Sequence, residues 1–212
     1  IPFSMDGTAV PVTLSAEERE AFRTRDVLMV RGMLGGEMFA FYVAHLPSRI
    51  GGKGADLRSV GADIIWRHSR ALEKKYPGIK IIVMGDMNDD PSDESMTVWL
   101  HGRPDLVSTG PDDFFSPMAR VHADGTGSLE YRGGWNLFDI IMVNSALAKA
   151  PQGGLRIQPM GDGHYGRVFC KPFMVQQSGQ YKGTPFRTFS HGAFIGGYSD
   201  HYPTYIVIGK SK

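Results

Sequence analysis

Ile81-Ile82-Val83-Met84-Gly85-Asp86-Met87-Asn88-Asp89-Asp90-Pro91 runs from apolar residues through a glycine into a cluster of acids and amides. The first half has the composition of a buried strand. The second half has that of a site for a hard cation or a phosphate. Strand side chains alternate with period two, so Asp86 and Asn88 are expected on one side at the rim of a sheet. A carboxylate there can hold a divalent cation or orient a water, and a carboxamide can donate to a developing oxyanion. The competing reading is an Asx-rich turn that caps the next helix, with Ser92 as cap and Asp93 and Glu94 in its first turn.

Three distant segments carry the same kind of chemistry. Phe39-Ala40-Phe41-Tyr42-Val43-Ala44-His45-Leu46-Pro47-Ser48-Arg49 reads as a strand that delivers His45 at its end, with Arg49 in the following turn. An imidazole titrates near neutrality and can act as a general acid, and a guanidinium suits bidentate contact with phosphate. A hydrogen-bonded core histidine is the plainer reading of His45. The stretch from Trp135 through Leu137, Phe138, Asp139 and Ile140 to Val143 places one acid within an otherwise apolar strand. A buried carboxylate needs a partner, and a histidine whose tautomer it fixes would serve. Tyr198-Ser199-Asp200-His201-Tyr202-Pro203 leads into a strand at Thr204–Ile208, and adjacent residues on an extended chain face opposite ways.

Together these residues resemble the endonuclease/exonuclease/phosphatase superfamily, which includes deoxyribonuclease I, abasic-site endonucleases, inositol polyphosphate 5-phosphatases and bacterial sphingomyelinases. The resemblance rests on His45 in Ala-His-Leu-Pro-Ser-Arg, Gly-Asp-Met-Asn at 85–88, Phe-Asp-Ile-Ile at 138–141 and Ser-Asp-His at 199–201, and covers about Arg25 to Ile208. It implies an α+β fold, a four-layer α/β/β/α sandwich of the deoxyribonuclease I type. It implies a metal-dependent phosphoesterase using Mg²⁺ or Mn²⁺. His45, Asp86, Asn88, Asp139 and His201 would be catalytic, with Asp200, Asp86 and Asn88 on the metal and Arg49 and Arg187 on phosphate. Nucleic acid, a phospholipid head group and a sugar phosphate are the substrate classes implied. Leu-Pro-Ser-Arg-Ile-Gly-Gly and Gly-Gly-Trp-Asn-Leu-Phe-Asp resemble a secreted or periplasmic bacterial branch.

One feature departs from the family pattern. Its early strand bearing an Asn, and the later Gln-Glu whose Glu is a principal metal ligand, have no counterpart in residues 1–20, and Glu17, Glu18 and Glu20 take no metal role. The acid that partners the general-acid histidine is missing too. Residues 1–212 are therefore expected to be the C-terminal two-thirds of a single domain, partnered by an upstream segment of the same protein. A non-catalytic phosphate-ligand binder, a scaffold relative or an inactive fragment is the alternative.

Composition is ordinary for a globular chain: 212 residues, 42% hydrophobic and 21% charged. A net charge of +1 offers no bulk attraction to nucleic acid. No run reaches the ~20 apolar residues of a membrane span. A single cysteine, Cys170, excludes an internal disulfide framework. Val27–Val30 and Met38–His45 read as a hairpin turning at Gly35-Gly36. Ala55–Lys75 reads as a helix whose buried face holds Leu57, Val60, Ile64, Ile65, Ala71, Leu72 and a partly buried His68, with Arg67, Arg70, Lys74 and Lys75 solvated and Pro77-Gly78 as its stop. Ile79–Met84 and Phe138–Val143 read as buried strands. Residues 152–197 read as a long loop or inserted hairpin pair near the site, contributing Arg187, while Trp135, Tyr165 and Tyr198 are candidates for a substrate wall. His101, His122, His164 and His191 take no role, and no His/Cys set has zinc spacing.

Overall fold

The computed structural model describes residues 2–4, 25–50, 54–131 and 133–210. Glu17, Glu18 and Glu20 lie outside the described residues. A seven-stranded mixed sheet forms the centre. Its strands are β1 (Pro2–Ser4), β2 (Val27–Leu34), β3 (Glu37–His45), β4 (Lys80–Asp86), β5 (Gly102–Arg103), β6 (Phe114–Phe115) and β9 (Asp139–Asn144), in the order β1-β2-β3-β4-β9-β6-β5. A two-stranded ribbon, β7 (Leu129–Tyr131) and β8 (Gly134–Asn136), leads into β9. A second sheet sets β14 (Thr204–Lys210) between β10 (Leu155–Gln158) and β11 (Gly166–Val168). The hairpin β12 (Phe189–Ser190) and β13 (Ala193–Phe194) lies in the connection before β14.

The hairpin between β2 and β3 turns at Gly35 and Gly36, with φ of 59° and 86°. Two successive left-handed positions are what a tight hairpin turn of matching twist demands. Helix α1 (Ala55–Lys75) crosses from β3 to the parallel β4. Its apolar stripe buries Ala62, Ile64, Ile65 and Leu72 against one face of the large sheet, where Ala40, Tyr42, Ala44, Ile81, Val83, Ile140 and Met142 await it. The residues between them point the other way. Phe39, Phe41, Ile82, Met84, Ile141 and Val143 pack on Ile157, Ile206 and Ile208 of the second sheet. Short helices α2 (Pro117–Ala123) and α3 (Ser145–Ala148) close the seam between the sheets, Met118 and Val121 meeting Ile206 and Leu147 joining the second core. The layers are thus helix, sheet and sheet. The short helices α2 and α3 lie against β11 and β10 of the second sheet.

Several expectations need correction. His68 is fully buried rather than partly so, and its Nδ1 lies 2.7 Å from the buried Tyr42 hydroxyl. Leu57 and Val60 are only half-buried, while Arg58 takes the core-side place and meets Asp89 at 2.8 Å. Arg70 is not a solvated cation: it pairs with Glu73 at 2.7 Å and donates to the Pro111 carbonyl. Ser92 caps no helix. A five-residue π-turn at Ser95–Trp99 replaces the expected α-helix, and the Asp93 carboxylate turns back to accept the Asp90 N–H at 2.7 Å. Residues 152–197 are not all loop, because β10 and β11 are strands of the second sheet. Burial of Ile157 and the antiparallel pairing with β14 decide this, and neither shows in so short a run.

Gly85 is the one residue of β4 that must lack a side chain. Its φ is 139°, and a Cβ there would stand 1.9 Å from the Ala44 carbonyl oxygen on β3. Gly85→Ala is expected to destabilise the protein by at least the ~1–3 kcal/mol of a strained backbone position. Urea unfolding measures this, and an unshifted midpoint would refute the close β3–β4 approach.

Candidate active site

Three polar side chains share one rung of the large sheet. Parallel pairing sets His45 opposite Asp86, and antiparallel pairing sets Asp86 opposite Asp139. Strand alternation fixes their direction. Phe41, Met84 and Ile141 face the second sheet, so the positions two or four residues along the same strands, His45, Asp86 and Asp139, face that side too. There the sheet rim is no longer covered, and His45 is 46% exposed while Asp86 is 20% exposed. His201, three residues before β14, arrives in the same space from the second sheet. Its Nδ1 lies 2.8 Å from Asp139 Oδ2. A carboxylate only accepts, so Nδ1 carries the proton and Nε2 is the atom left for a substrate. His45 Nε2 is 3.4 Å from Asp86 Oδ2.

Asn88 joins the group by a route other than strand alternation. The chain leaves β4 and Asn88 adopts a left-handed φ of 52°. Its backbone N–H donates to Asp86 Oδ1 at 3.0 Å, and its Nδ2 donates to the Leu46 carbonyl at 2.9 Å. One Nδ2 hydrogen and the whole of Oδ1 remain for other partners. Asp139 is the first residue of β9, half-buried at the rim, rather than an acid inside a strand. Residues Leu137 and Phe138 break the ladder before it because the Leu137 N–H goes to Asp90 Oδ1.

Ser128 was not foreseen. Its hydroxyl donates to Asp139 Oδ2, the same oxygen that His201 holds, and its carbonyl accepts the Tyr202 N–H at 2.7 Å. One residue thereby ties Asp139 to the segment that carries His201. Nothing in the sequence around a lone serine in Gly-Thr-Gly-Ser marks it.

The electrostatics follow from burial and from like charges set side by side. Burial pushes the Asp86 carboxyl above the ordinary carboxylate range. The Asn88 N–H and His201 oppose that push, Asp139 adds to it, and His45 opposes it. Burial disfavours charge on His201, but the hydrogen bond to Asp139 and the charges of Asp139, Asp86 and Asp200 outweigh it and raise its pKa. Asp200 itself is exposed and reaches the site through that field.

Beside His201 lies a cavity of about 390 Å³ lined by Asp139, Met174, Tyr198, Ser199 and Tyr202. Tyr198 therefore does stand at the site. Trp135 stacks on Tyr202 with ring centroids 6.1 Å apart. Tyr165 is packing instead, edge-on to Phe115 at the second core. The phosphate contacts expected of two arginines are not brought to the rung. Arg187 lies over the Tyr181 ring and 3.5 Å from the Glu130 carbonyl. Arg49 is enclosed by Asp89 and Asp93. Among the remaining histidines, His101 stacks on Trp66 and His122 meets Asp90 at 3.3 Å.

Among the described residues no group of three or more His, Cys, Asp or Glu side chains forms a metal cage. Of the expected ligands, Asp86 and Asn88 meet at the rim, and Asp200 is exposed and acts on His201 through its charge. The donor chemistry nonetheless suits a hard dication. Asp86 and Asp139 crowd negative charge at the rim, and the Asn88 amide keeps its oxygen free; oxygen donors are what Mg²⁺ and Mn²⁺ take.

Residues 7–210 match the family described as Endonuclease/Exonuclease/phosphatase family. The chain belongs to that family. Among solved structures, this family member is similar to a humanized TDP2 of D. rerio carrying 14 mutations: TM-score 0.52, 15% identity, 86% of this chain and 59% of that one. Lesser likenesses are to a mannosyl-6-phosphatase of Bacteroides thetaiotaomicron (TM-score 0.48, 14% identity, 82% and 52% covered) and to a beta toxin mutant of Staphylococcus aureus with bound magnesium ions (TM-score 0.45, 16% identity, 86% and 56% covered). At such identities the first likeness shows the fold alone: the mixed sheet with helices of the deoxyribonuclease I type. The chain spans between 52% and 59% of the length of these three. Comparison with curated proteins gave no match.

The Asp139 contact predicts a titration. The metal-free protein should show a His201 midpoint above the ~6.5 of a free imidazole, and Asp139→Asn should lower it. The raised value stabilises the fold fully below the unfolded-state pKa, and that contribution is lost as pH rises through the folded value. Imidazole NMR across pH reads both midpoints, and no fall in Asp139→Asn would remove Asp139 as the cause.

Proposed function

We propose that this chain hydrolyses a phosphate ester, a phosphodiester or a phosphomonoester, with a bound Mg²⁺ or Mn²⁺. The single observation that carries the reading is the rung His45–Asp86–Asp139 completed by His201. It presents a carboxylate for water and two imidazoles for oxygen anions in one open space beside a cavity. Asp86, Asn88 and Asp200 would hold the cation. When bound, the cation supplies Lewis-acid stabilisation of charge building on the phosphoryl oxygens. Asp86 aligns the attacking water and receives its proton. The proton on His201 Nε2 and the spare N–H of Asn88 point to the phosphoryl oxygens as their charge grows. Asp139 accepts from Nδ1 and raises the His201 pKa, which favours the imidazolium that also carries a proton on Nε2, and His45 protonates the leaving oxygen. Nucleic acid, a phospholipid head group and a sugar phosphate remain the candidate substrates, with the near-neutral chain offering no bulk pull on the first. We place its action outside the bacterial cytoplasm, on the resemblance of its loop sequences to secreted relatives. No helix among the described residues is long and apolar enough to cross a membrane.

The lack of a three-ligand cage among the described residues favours one other reading, a binder of phosphate-bearing ligands that does no chemistry. Hydrolysis of bis-p-nitrophenyl phosphate, with and without chelator, separates the two. Metal-dependent turnover is expected, falling ~10²–10³-fold or more in His201→Ala and in Asp86→Ala while circular dichroism stays native. Full activity in His201→Ala would overturn the role assignment. Phosphate binding by a protein that turns over nothing with either metal would leave the binder.

A further inference from the structure

We infer that Arg49 is the positioning residue that holds Asn88 in its left-handed conformation, and that it does not contact the substrate phosphate. This rests on the reading of Asn88 as part of a phosphoesterase site. An Asn tolerates positive φ better than most residues, but the rotation still turns its carbonyl out of the strand ladder, where it needs a donor. Arg49 Nε supplies that donor at 2.7 Å from the Asn88 oxygen. Of the three guanidinium nitrogens, Nε and Nη2 are already committed to the protein. Nε also reaches Asp89 Oδ1 at 3.1 Å, and Nη2 meets Asp89 Oδ1 at 2.9 Å and the Asp93 carboxylate. Its plane lies over the Phe138 ring, 4.5 Å from the centroid. Phe138 in turn accepts the Met87 N–H at 2.8 Å, just before Asp139.

One side chain therefore fastens three segments of the site: the exit of β3, the turn after β4 and the entry to β9. The charge around it argues the same way. Asp89, Asp90 and Asp93 surround Arg49 and Arg58, so three carboxylates face two guanidiniums and no surplus positive charge is left to draw a phosphate. The Asn88 amide is pinned from the opposite end by the Leu46 carbonyl. Removing Arg49 frees one of these two anchors, and displacement of a reacting group by ~1 Å can cost 10²-fold in rate.

Lysine separates the two roles. An ammonium replaces a guanidinium adequately as a point charge on phosphate but cannot reproduce the fork that bonds a carbonyl and two carboxylates at once. Arg49→Lys and Arg49→Gln are compared with wild type for kcat, KM and inhibition by inorganic phosphate. Positioning predicts that kcat falls alike in both, by ~10²-fold, with KM and the phosphate inhibition constant unchanged. Rescue by lysine, or weakened phosphate inhibition at unchanged kcat, would overturn the inference. The wild-type protein gives an independent readout should the variants fold poorly or should no substrate turn over. By NMR, the Arg49 Nε–H is expected to exchange slowly with water and to stay unshifted when inorganic phosphate is titrated in. Fast exchange, or a phosphate-induced shift of that resonance, would sink the positioning role whether or not the protein is an enzyme.

Discussion

Backbone pairing of β3, β4 and β9 is the constraint on which the site depends. The three side chains of the rung are adjacent because hydrogen-bond register makes them so, and they face one way because each strand alternates. A slip of one residue in β4 would send Asp86 toward α1 and bring Met87 to the rim. The register is held by burial on both faces: α1 demands Ile81 and Val83, and the second sheet demands Ile82 and Met84. At Gly85, just before the polar rung begins, the absence of a side chain leaves room for the Ala44 carbonyl of β3. The apolar layers thus set the geometry of groups that contribute little to stability themselves.

Behind the rung, the acids that follow Asn88 have a different task. Asp89 binds Arg58, Arg49 and the Ser95 hydroxyl; Asp90 accepts the Leu137 N–H and meets His122. Isolated charges so deeply placed would be costly, and partners on every side offset that cost. These carboxylates are brackets for the turn. Asp86, with its raised pKa and its neighbours Asp139, His201 and His45, faces the open rim instead. The acidic run thus divides: residues 86–88 face the open rim, and residues 89–93 form a turn held by Arg49, Arg58 and Ser95 without capping an α-helix.

Strong local patterns were readable from the residues. Helix α1, the Gly35-Gly36 hairpin and the strand into Asp86 follow from periodicity and turn chemistry, and the family from four short motifs. The pairing of Asp139 with His201 matches the expectation that an acid among apolar residues needs a partner, although Asp139 stands at the rim and not inside the strand. What escaped depends on long-range contacts. Asn88 turns by positive φ instead of alternating, because its N–H finds Asp86 and its amide finds Leu46. Arg49 was drawn to phosphate by its residue type alone, whereas three carboxylates from a turn forty positions away claim it. Ser128 acquires meaning only when its hairpin meets both Asp139 and Tyr202. Strands β10 and β11 are too short and too mixed in composition to announce themselves without β14 beside them.

His45 and His201 enter the site from opposite stretches of the chain, and β14 pairs with neighbours far upstream of it. Contacts of such sequence separation form late, since loop closure must be met before they reward the chain. A folding intermediate could hold β2, β3, α1 and β4 in place and still lack His201. Completion of the rung by His201 should therefore trail the return of helix signal on refolding, with the last strand as the kinetic gate.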